Sequence, residues 1–377
     1  MNKKKLKIAL VSNTSNFFRF FMLNHIKHLS KKYDLFICCN NAKNLKKKVP
    51  NNVLLIDINF KRGFSLLNDI ISFFLTLFFF LKNKPNLSIS FTPKIGLMVA
   101  LGSLIARTPN RIHWFTGQIW ANSKGFVKIF YKFIDKIIFF LSHHIFIDGF
   151  SQRNFLIKEK IISKEKSIVF HKGSVGGVNV SKFSFDKKKR LKLRKYYSIA
   201  SNTFVFLFLG RINKDKGVVE LINAFKKIEK NKNVLLIFVG TIEDKKLNRL
   251  LKNNIKILHF NHTEKPEDWF SLADILCLPS HREGFGTTIV EAASCGIPSL
   301  CSNIYGLRDA VIHNKTGFFH KVGSSSDIKS KMEYIIKNKK HVKNLGIMAK
   351  KNAVKYFDKN LITNQLLKFI NSNINLK

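Results

Sequence analysis

The chain has 377 residues, of which 45% are hydrophobic and 24% are charged; this composition excludes wholesale disorder and favours two folded domains. Its 66 Lys and Arg against 23 Asp and Glu give a formal net charge of +43, so its surface should attract phosphorylated substrates, anionic lipid or nucleic acid. The cationic excess is spread over both halves of the chain. This excludes a basic tail and does not by itself indicate nucleic-acid binding.

The cysteines predict a reducing compartment. They are odd in number and stand mostly in apolar segments, which predicts buried, reduced thiols in a cytoplasm rather than a disulfide framework. None has the spacing of a zinc site. The five are Cys38, Cys39, Cys277, Cys295 and Cys301.

Two apolar stretches near the N-terminus invite a membrane interpretation. The first residues are basic, as in a signal peptide, but the apolar run Leu6–Val11 behind them is short, contains Lys7, and is followed by no small-residue cleavage site. The stretch Ile70–Leu81 has 12 residues, fewer than the roughly 20 that a membrane span needs. We therefore predict a buried or interface-lying helix there.

Short apolar strands alternate with longer helical patterns in the first half. Strands apolar on both faces, separated by helices, indicate a parallel sheet covered on both sides. The predicted strands are Leu6–Ser12, Tyr33–Cys38, Val53–Ile58, Leu87–Phe91, Arg111–Thr116, Ile145–Asp148 and Ser167–His171. The predicted helices are Phe17–Ser30, Phe64–Leu81, Ile95–Ala106, Phe126–Leu141 and Gln152–Ile157.

The same alternation restarts after a Gly-rich segment and a basic run. The predicted strands are Phe204–Leu209, Val234–Val239, Ile255–Phe260, Asp274–Leu278 and Pro298–Cys301. The predicted helices are Val218–Lys230, Asp244–Lys252, Glu267–Leu272, Thr288–Cys295, Asp327–Lys337, His341–Phe357 and Leu361–Ile370. The pattern predicts an α/β protein of two doubly wound, Rossmann-like domains facing across a cleft, with ligands beyond the carboxyl ends of the strands. We place the domains at 1–180 and 201–356, a linker at 181–200, and a helix that crosses back at 357–377.

The most informative segment is Pro279–Ala292, which leaves a strand, crosses a glycine-containing loop and enters a helix. Backbone N–H groups at such a helix start favour a phosphate. Glu283 and Glu291 stand eight steps apart, so both can reach one elongated ligand, and carboxylates accept hydrogen bonds from sugar or ribose hydroxyls. For Glu291 a structural alternative stays open, because Thr288 and Glu291 have the spacing of a capping box.

A second loop, Gly210–Gly217, follows the strand Phe204–Leu209. Arg211 can bind a diphosphate bidentately, and Lys216 can supply a point charge. Taken alone, an Arg and a Lys in so basic a chain are equally consistent with solvated surface charges. Their position at the predicted cleft favours the binding role.

Together these segments, with Ala293–Pro298, resemble the retaining glycosyltransferases of family 4, which have the GT-B architecture of two Rossmann-like domains. The match covers the second domain. In the first it is weaker, since Val178–Phe183 resembles the family's G-V-D-x-x-x-F junction with Asn179 in place of Asp. The resemblance is to bacterial transferases that extend polyprenyl-diphosphate-linked glycans for O-antigen, capsule or glycoprotein.

The resemblance implies a role for each donor-site position. Arg211 and Lys216 would hold the donor diphosphate, Glu283 the transferred sugar, and Glu291 the ribose. The backbone of Phe285 to Thr287 would contact the sugar or phosphates, and the nucleoside would lie near Ile257–His262, where Asn261 replaces the family's common Gly. The predicted donor-binding set is Gly210, Arg211, Lys216, Glu283, Gly284, Phe285, Gly286, Thr287 and Glu291; the predicted catalytic set is Glu283, His113, Arg211 and Lys216.

The resemblance implies fewer positions in the first, acceptor domain. The family commonly places a His near the donor sugar at the end of a first-domain strand. His113 is one candidate, with a core or edge histidine as the alternative, and Thr116 and Gln118 are comparable candidates for sugar or acceptor contacts. Asn16, in a loop where the family often has glycines, is a further candidate. His143-His144 could suggest a metal pair, but neighbours on a strand point to opposite faces, which favours a structural role.

The predicted function is retaining transfer of a hexose or N-acetylhexosamine from a nucleotide-diphosphate sugar, with UDP-sugar favoured, to a polyprenyl-diphosphate-linked glycan. No Asp-x-Asp triplet occurs in the chain. We therefore expect protein cations to stabilise the leaving diphosphate, with no metal and no cofactor. The leaving diphosphate would accept the acceptor's proton, so no dedicated general base is needed.

Phe126–Phe133 and the Phe-rich helix before it mix apolar residues with lysines, as interfacial helices do. They predict peripheral attachment to the cytoplasmic face of the membrane; packing on the first-domain sheet is the alternative.

Two other functions stay open. A GT-B-fold sugar-nucleotide epimerase would use the same donor pocket without an acceptor. A nucleic-acid-binding protein would account for the charge, but no nucleic-acid-binding motif is evident and we predict no nucleic-acid partner.

Overall fold

The computed structural model describes residues 5–61, 63, 65–230, 233–252 and 254–374. They form two compact units. Unit 1 holds the described residues up to Gly177 together with those from Lys359 onward, and unit 2 holds Val178–Asp358. The segment 181–200, expected to be a linker, is therefore part of unit 2, and the C-terminal helix (Lys359–Asn373) groups with unit 1.

Unit 1 is built on a seven-stranded parallel sheet with the order β3-β2-β1-β4-β5-β6-β7. The strands are β1 (Lys7–Thr14), β2 (Asp34–Asn40), β3 (Leu54–Asp57), β4 (Leu87–Phe91), β5 (Asn110–Phe115), β6 (His144–Ile147) and β7 (Ser167–Val169). All five residues of β4 are buried, as expected for a central parallel strand with helices on both faces. The strand order reverses between β1 and β4, which is the doubly wound arrangement that the sequence predicts.

The helices of unit 1 fall close to their predicted positions. They are α1 (Ser15–Phe17), continued by a π-helical segment (Phe18–Met22) into α2 (Leu23–Lys32), then α3 (Leu66–Asn83), α4 (Pro93–Ile105), α5 (Gly125–Leu141), α6 (Phe150–Lys158) and the C-terminal helix. Helix α3 packs beside α4, and α4 beside α5. These three helices therefore form one layer of the unit.

Helix α3 is longer than the 12-residue apolar run inside it. Among the helices of the described residues, α3 alone is long and apolar enough to cross a membrane, and 22% of its 18 residues are buried. It connects β3 to β4 of the same sheet, and Phe79 and Phe80 are buried against that sheet. Both of its ends thus return to the domain, as they would for an interface-lying helix.

Unit 2 is built on a six-stranded parallel sheet with the order β10-β9-β8-β11-β12-β13. The strands are β8 (Phe204–Leu209), β9 (Val234–Val239), β10 (Ile257–Phe260), β11 (Ile275–Leu278), β12 (Ser299–Ser302) and β13 (Gly317–His320). The helices are α7 (Lys187–Tyr196), α8 (Val218–Lys226), α9 (Lys245–Lys252), α10 (Pro266–Leu272), α11 (Thr287–Ser294), α12 (Tyr305–Arg308), α13 (Ser325–Lys337) and α14 (Lys339–Phe357). Here the strand order reverses between β8 and β11.

Helix α7 occupies the segment expected to be a basic linker. Asp186 caps it by accepting a hydrogen bond from the backbone N–H of Lys189 at 3.0 Å. Arg190 and Arg194, one turn apart, both bind the carboxylate of Asp274, at 2.6 and 2.8 Å. Cationic side chains therefore fix this helix to the start of β11, a contact that composition alone does not predict.

All five cysteines are buried and free, as predicted. Burial raises the pKa of the Cys39 and Cys295 thiols to about 12. Such thiols are unreactive packing residues.

Candidate active site

The two loops that the sequence singles out meet in unit 2 at the point where the strand order reverses. One follows β8 and the other follows β11, and these strands are neighbours in the sheet. The loops touch: a Cβ on Gly217 would collide with the carbonyl group of Pro279, and Gly217 itself has a φ of +66°. In doubly wound sheets a ligand binds beyond the carboxyl ends of the strands at this reversal.

Lys216 and Glu283, one from each loop, form an ion pair. The Nζ of Lys216 lies 2.5 Å from Oε1 of Glu283, and both side chains are largely buried. The hydroxyl of Ser280 donates to the same Oε1 at 2.7 Å. Two of the four predicted charged groups are therefore brought together, and Ser280 is an additional member that the sequence reasoning missed.

Arg211 is held by a residue that the sequence analysis did not predict. Its Nη1 lies 3.0 Å from both carboxylate oxygens of Glu243, and Nδ2 of Asn213 donates to Glu243 at 2.7 Å. Glu243 follows β9, which neighbours β8. The loops after the two strands are in close contact, because a Cβ on Gly240 would collide with the carbonyl of Gly210. A carboxylate thus holds the side chain that a donor diphosphate would need.

The loop before α11 carries backbone N–H groups that can bind a ligand. Within the described chain, those of Gly284, Phe285 and Gly286 donate to no protein acceptor, whereas that of Thr287 donates to the carbonyl of Phe285 at 2.9 Å. The loop also packs tightly, since a Cβ on Gly306 would collide with the carbonyl of Glu283. Donors fixed in this way at a helix start can bind an anion without reorganising.

Glu291 does not act as a capping residue. The N-cap of α11 is Gly286, and no side chain caps this helix start, so the capping-box alternative does not hold. Its charged neighbours are Lys182 and Glu267, which lie 3.5 Å apart, Nζ to Oε2. Burial, opposed by Lys182 and reinforced by Glu267, raises the pKa of Glu291 to about 8. The charged neighbours of Glu291 thus differ from those of Glu283, which pairs with Lys216.

We expect the stability of the protein to fall with rising pH because of Glu291. A carboxyl group whose folded-state pKa is raised from 4.5 to about 8 holds more protons in the folded state, so folding stability decreases as the pH rises between these values. Replacing Glu291 by Gln should remove this dependence. The melting temperature of the variant minus that of the wild type should therefore increase from pH 5 to pH 8, and a constant difference would contradict the assignment.

The predicted nucleoside segment lies at the end of β10. The Nε2 of His259 is 2.9 Å from the carbonyl oxygen of Gly240, so the end of this strand is tied to the loop that carries Glu243. Asn261 is exposed, and Nε2 of His262 lies 3.2 Å from Oε1 of Glu264. Contacts to a base stay a prediction for this segment.

His113 is a buried histidine of unit 1. Its side chain lies under α4, where a Cβ on Gly96 would meet the ring at Nδ1 and Cε1, and the residue is 1% exposed. Nδ1 lies 2.8 Å from the hydroxyl of Ser90, and burial lowers the pKa of the imidazole to about 3. Burial of the neutral ring under a helix favours the alternative of a core histidine, and a catalytic role for His113 stays a prediction.

The other unit 1 candidates have mixed environments. Asn16 is exposed in α1, and Thr116 is half-buried directly after β5. Gln118 is fully buried, and its Oε1 accepts a hydrogen bond from Nε2 of Gln152 at 3.1 Å. Asn16, Thr116 and Gln118 all remain predictions for sugar or acceptor contacts; for Gln118 the burial and the Gln152 contact also suit a structural role.

The paired histidines have structural roles. Nδ1 of His143 accepts a hydrogen bond from the backbone N–H of Arg111 at 3.0 Å. The ring of His144 packs edge-on against Phe369, with centroids 5.1 Å apart. The described residues contain no group of three or more His, Cys, Asp or Glu side chains that could hold a metal ion.

Comparisons with known proteins agree with this architecture. Residues 189–352 match the family model "Glycosyl transferases group 1". The curated relatives include the capsular polysaccharide biosynthesis glycosyltransferase CapM of Staphylococcus aureus, 29% identical over 98% of this chain and 97% of CapM. They also include the UDP-Gal:alpha-D-GlcNAc-diphosphoundecaprenol alpha-1,3-galactosyltransferase of Escherichia coli, 24% identical over 77% of this chain and 76% of that protein.

Among solved structures, HepE of Anabaena in complex with UDP has a TM-score of 0.80 at 17% identity, covering 97% of this chain and all of HepE. A glycosyltransferase from Rickettsia africae has a TM-score of 0.78 at 20% identity over 98% of this chain. These likenesses confirm the predicted fold of two Rossmann-like units. The chain is therefore similar to bacterial glycosyltransferases over almost its full length, it has the GT-B fold, and residues 189–352 match the group 1 glycosyltransferase domain.

Proposed function

We propose that this glycosyltransferase moves a hexose or N-acetylhexosamine from a UDP-sugar to a lipid-linked glycan during assembly of bacterial surface polysaccharide or glycoprotein. The observation that carries the proposal is the cluster of Lys216, Glu283 and Ser280 where the loops after β8 and β11 meet. It combines a cation for a phosphate with an acceptor for sugar hydroxyls. The UDP and UDP-glucose complexes of HepE support the donor class, and the undecaprenol-linked substrate in the name of the E. coli relative supports the acceptor class.

Donor binding rearranges the ion pairs of unit 2. In the structure, Lys216 is held by Glu283 and Arg211 by Glu243. A diphosphate brings more negative charge than either carboxylate, so it takes both cations, and the free N–H groups of Gly284 to Gly286 add hydrogen bonds. Glu283 is then released to accept hydrogen bonds from the sugar hydroxyls. The carboxyl oxygens of Glu291 accept those of the ribose.

The transfer proceeds with retention of the anomeric configuration. The bond between the anomeric carbon and the diphosphate oxygen breaks, and its electron pair stays on that oxygen. The acceptor hydroxyl oxygen bonds to the anomeric carbon on the same face, and its proton passes to the leaving diphosphate. Lys216 and Arg211 stabilise the charge that develops on the leaving group, the role that a divalent cation has in metal-dependent transferases.

Two assays test the proposal and separate it from the epimerase alternative. Thermal stabilisation is measured against UDP, GDP and their hexose and N-acetylhexosamine derivatives, since a ligand that binds the folded state raises its melting temperature. Nucleotide release is then followed with and without a polyprenyl-diphosphate-linked saccharide. We expect stabilisation by UDP-sugars and release of UDP that depends on the acceptor. Isomerisation of the donor alone would indicate an epimerase, and no stabilisation by any nucleotide would contradict both.

The layer formed by α3, α4 and α5 supports attachment of the enzyme to a membrane surface. On α5, Phe126 and Phe140 are 78% and 81% exposed, and on α3 Leu67 is 77% exposed. The exposed residues of α5 recur at helical spacing and so share one face. Exposed apolar side chains on both helices, in a chain of charge +43, suit the interface of an anionic bilayer. We propose peripheral attachment to the cytoplasmic leaflet through this face, where a lipid-linked acceptor is presented.

Removing aromatic side chains from α5 should reduce membrane binding that survives salt. Electrostatic attraction is screened at high salt, whereas apolar insertion persists. We expect the triple change Phe126→Ser, Phe133→Ser and Phe140→Ser to weaken cosedimentation with phosphatidylglycerol vesicles in 0.5 M salt (roughly a 4 Å Debye length) clearly more than the control change does. The control changes three exposed apolar residues of unit 2, Tyr196, Ile255 and Ile312, to Ser. Equal binding by both variants would contradict the assignment to α5.

A further inference from the structure

A large groove crosses unit 2 at the edge of its sheet opposite the donor loops. Helices α7 and α14 form its walls, and the turn Gly296–Pro298 after α11 lies between them. Its lining includes Asp274 and Pro298, which directly precede β11 and β12, and Phe204, the first residue of β8. The groove therefore lies at the amino ends of the strands, whereas the donor loops follow their carboxyl ends. Its volume is about 1110 Å³, ample for a lipid-sized ligand.

One face of α14 lines the groove along almost its full length. The residues on that face recur three or four positions apart through four turns, which is the spacing of a single helical stripe. They are Lys339, Val342, Lys343, Ile347, Lys350, Lys351, Val354 and Lys355. The helix is seated against the turn through Gly346, where a Cβ would collide with the carbonyl of Gly296. The stripe combines an apolar surface with a row of ammonium groups.

The apolar lining residues, contributed by α7, α14 and the segments next to them, form what we call the floor of the groove, and this floor is partly exposed. Phe185 is 43% exposed, Leu191 59% and Ile347 51%, and Ile297 and Pro298 lie beside them. Apolar side chains open to solvent in a concave site of this size mark a binding surface more often than a packing defect.

The rim of the groove is strongly cationic. Six exposed lysines line it, and no ion pair among the described residues engages any of them: Lys187, Lys339, Lys343, Lys350, Lys351 and Lys355. The one acidic lining residue, Asp274, is already neutralised by Arg190 and Arg194. The charge of the groove is thus uncompensated, and an occupant has to be anionic.

We propose that this groove binds one anionic membrane lipid, with the acyl chain on the apolar floor and the phosphate headgroup among the lysines of α14. A second copy of the chain is a poor occupant, because only 23 acidic residues stand against 66 basic ones and two such surfaces repel. A water-soluble anion would leave the apolar floor uncovered. Lysine stems can lie along the acyl chain while their ammonium groups reach the phosphate.

Such a site would hold unit 2 at an anionic leaflet independently of the α3–α5 face of unit 1. It requires neither the donor nor the acceptor proposed above, so its test does not depend on glycosyl transfer. The site also differs from general attraction of a basic protein to a charged surface, because it combines one acyl chain with one phosphate in a defined place.

Isothermal titration with soluble, short-chain probes tests the site without a bilayer. We expect dihexanoyl-phosphatidylglycerol to bind with a stoichiometry of one, and two other probes to bind at least about tenfold more weakly. Dihexanoyl-phosphatidylcholine carries a cationic choline that the lysines repel, and glycerol phosphate has no acyl chains to cover the floor. If the zwitterionic lipid binds equally well, the groove recognises only the apolar chains. If glycerol phosphate binds equally well, the groove recognises only the phosphate. Either result overturns the proposal.

Two variants and one control locate the binding. The charge reversal Lys343→Glu with Lys351→Glu, and separately Ile347→Asp on the floor, should each weaken phosphatidylglycerol binding about tenfold or more. The control Lys227→Glu with Lys315→Glu changes two exposed lysines outside the groove by the same total charge and should bind as the wild type does. Melting temperatures and circular dichroism spectra close to those of the wild type verify that the variants are folded. A loss of lipid binding in the control equal to that of the Lys343/Lys351 variant contradicts the site.

Discussion

Replacing Glu283 by Gln should abolish most of the transfer activity while leaving UDP binding intact or stronger. The side chain is nearly isosteric, and Ser280 can still donate to its remaining oxygen. However, the carboxylate is lost, and with it the charged acceptor for the sugar hydroxyls. Loss of one preorganised group of this kind costs about 2–4 kcal/mol of transition-state stabilisation, or roughly 30- to 1000-fold in kcat/KM.

The effect on UDP distinguishes this role from a structural one. Glu283 holds Lys216 at 2.5 Å, so a phosphate that binds this lysine has to displace the carboxylate. Removing the carboxylate frees the lysine, and UDP affinity should stay equal or increase while turnover falls. If Glu283 only held the loop in shape, both UDP binding and turnover would fall together. Transfer within tenfold of the wild type would exclude the catalytic role.

The fold was predictable because its signals are local. Strands such as Phe204–Leu209 and Val234–Val239 are continuous apolar runs bounded by polar loops, and the structure has them at those bounds. The edge strand β13 (Gly317–His320) was missed, since four residues starting with a glycine give no clear period. Helix α7 was missed for another reason. Its stability comes from Asp186 and from the Asp274 contact, and the latter is 80 or more positions away.

The candidate site was predictable only in part, for a similar reason. The loops with Lys216 and Glu283 stand directly after strands, so their convergence follows from the parallel topology. Glu243 has no motif of its own, and its contact with Arg211 depends on β9 lying beside β8. An acidic residue three positions after a glycine at the end of a neighbouring strand was the available signal. The environment of His113 depends on Gly96 of α4, which strand alternation alone does not reveal.

Replacing Lys216 by Gln should reduce both UDP affinity and turnover. In Glu283→Gln, by contrast, UDP affinity should stay equal or increase. The ammonium group is the half-buried cation of the β8 loop, with 17% of its side chain exposed. It neutralises the diphosphate in the ground state and more strongly as the leaving group gains charge. We expect a loss of about 2–4 kcal/mol in kcat/KM. The variant also leaves the Glu283 carboxylate facing the incoming diphosphate without its counterion, which adds repulsion.

A neighbouring lysine provides the matched control. Lys214 lies in the same turn, is 71% exposed, and is 4.0 Å from Asp244, so Lys214→Gln removes the same charge without removing the pair. Its effect should stay within about threefold, as expected for a screened surface charge.

Combining Lys216→Gln with Glu283→Gln completes a double-mutant cycle for UDP binding. Because the single changes act on one ion pair, their effects should not add. The double variant should bind UDP better than Lys216→Gln alone, since the carboxylate that repels the diphosphate is gone. Additive effects would show that the two side chains serve separate ligands.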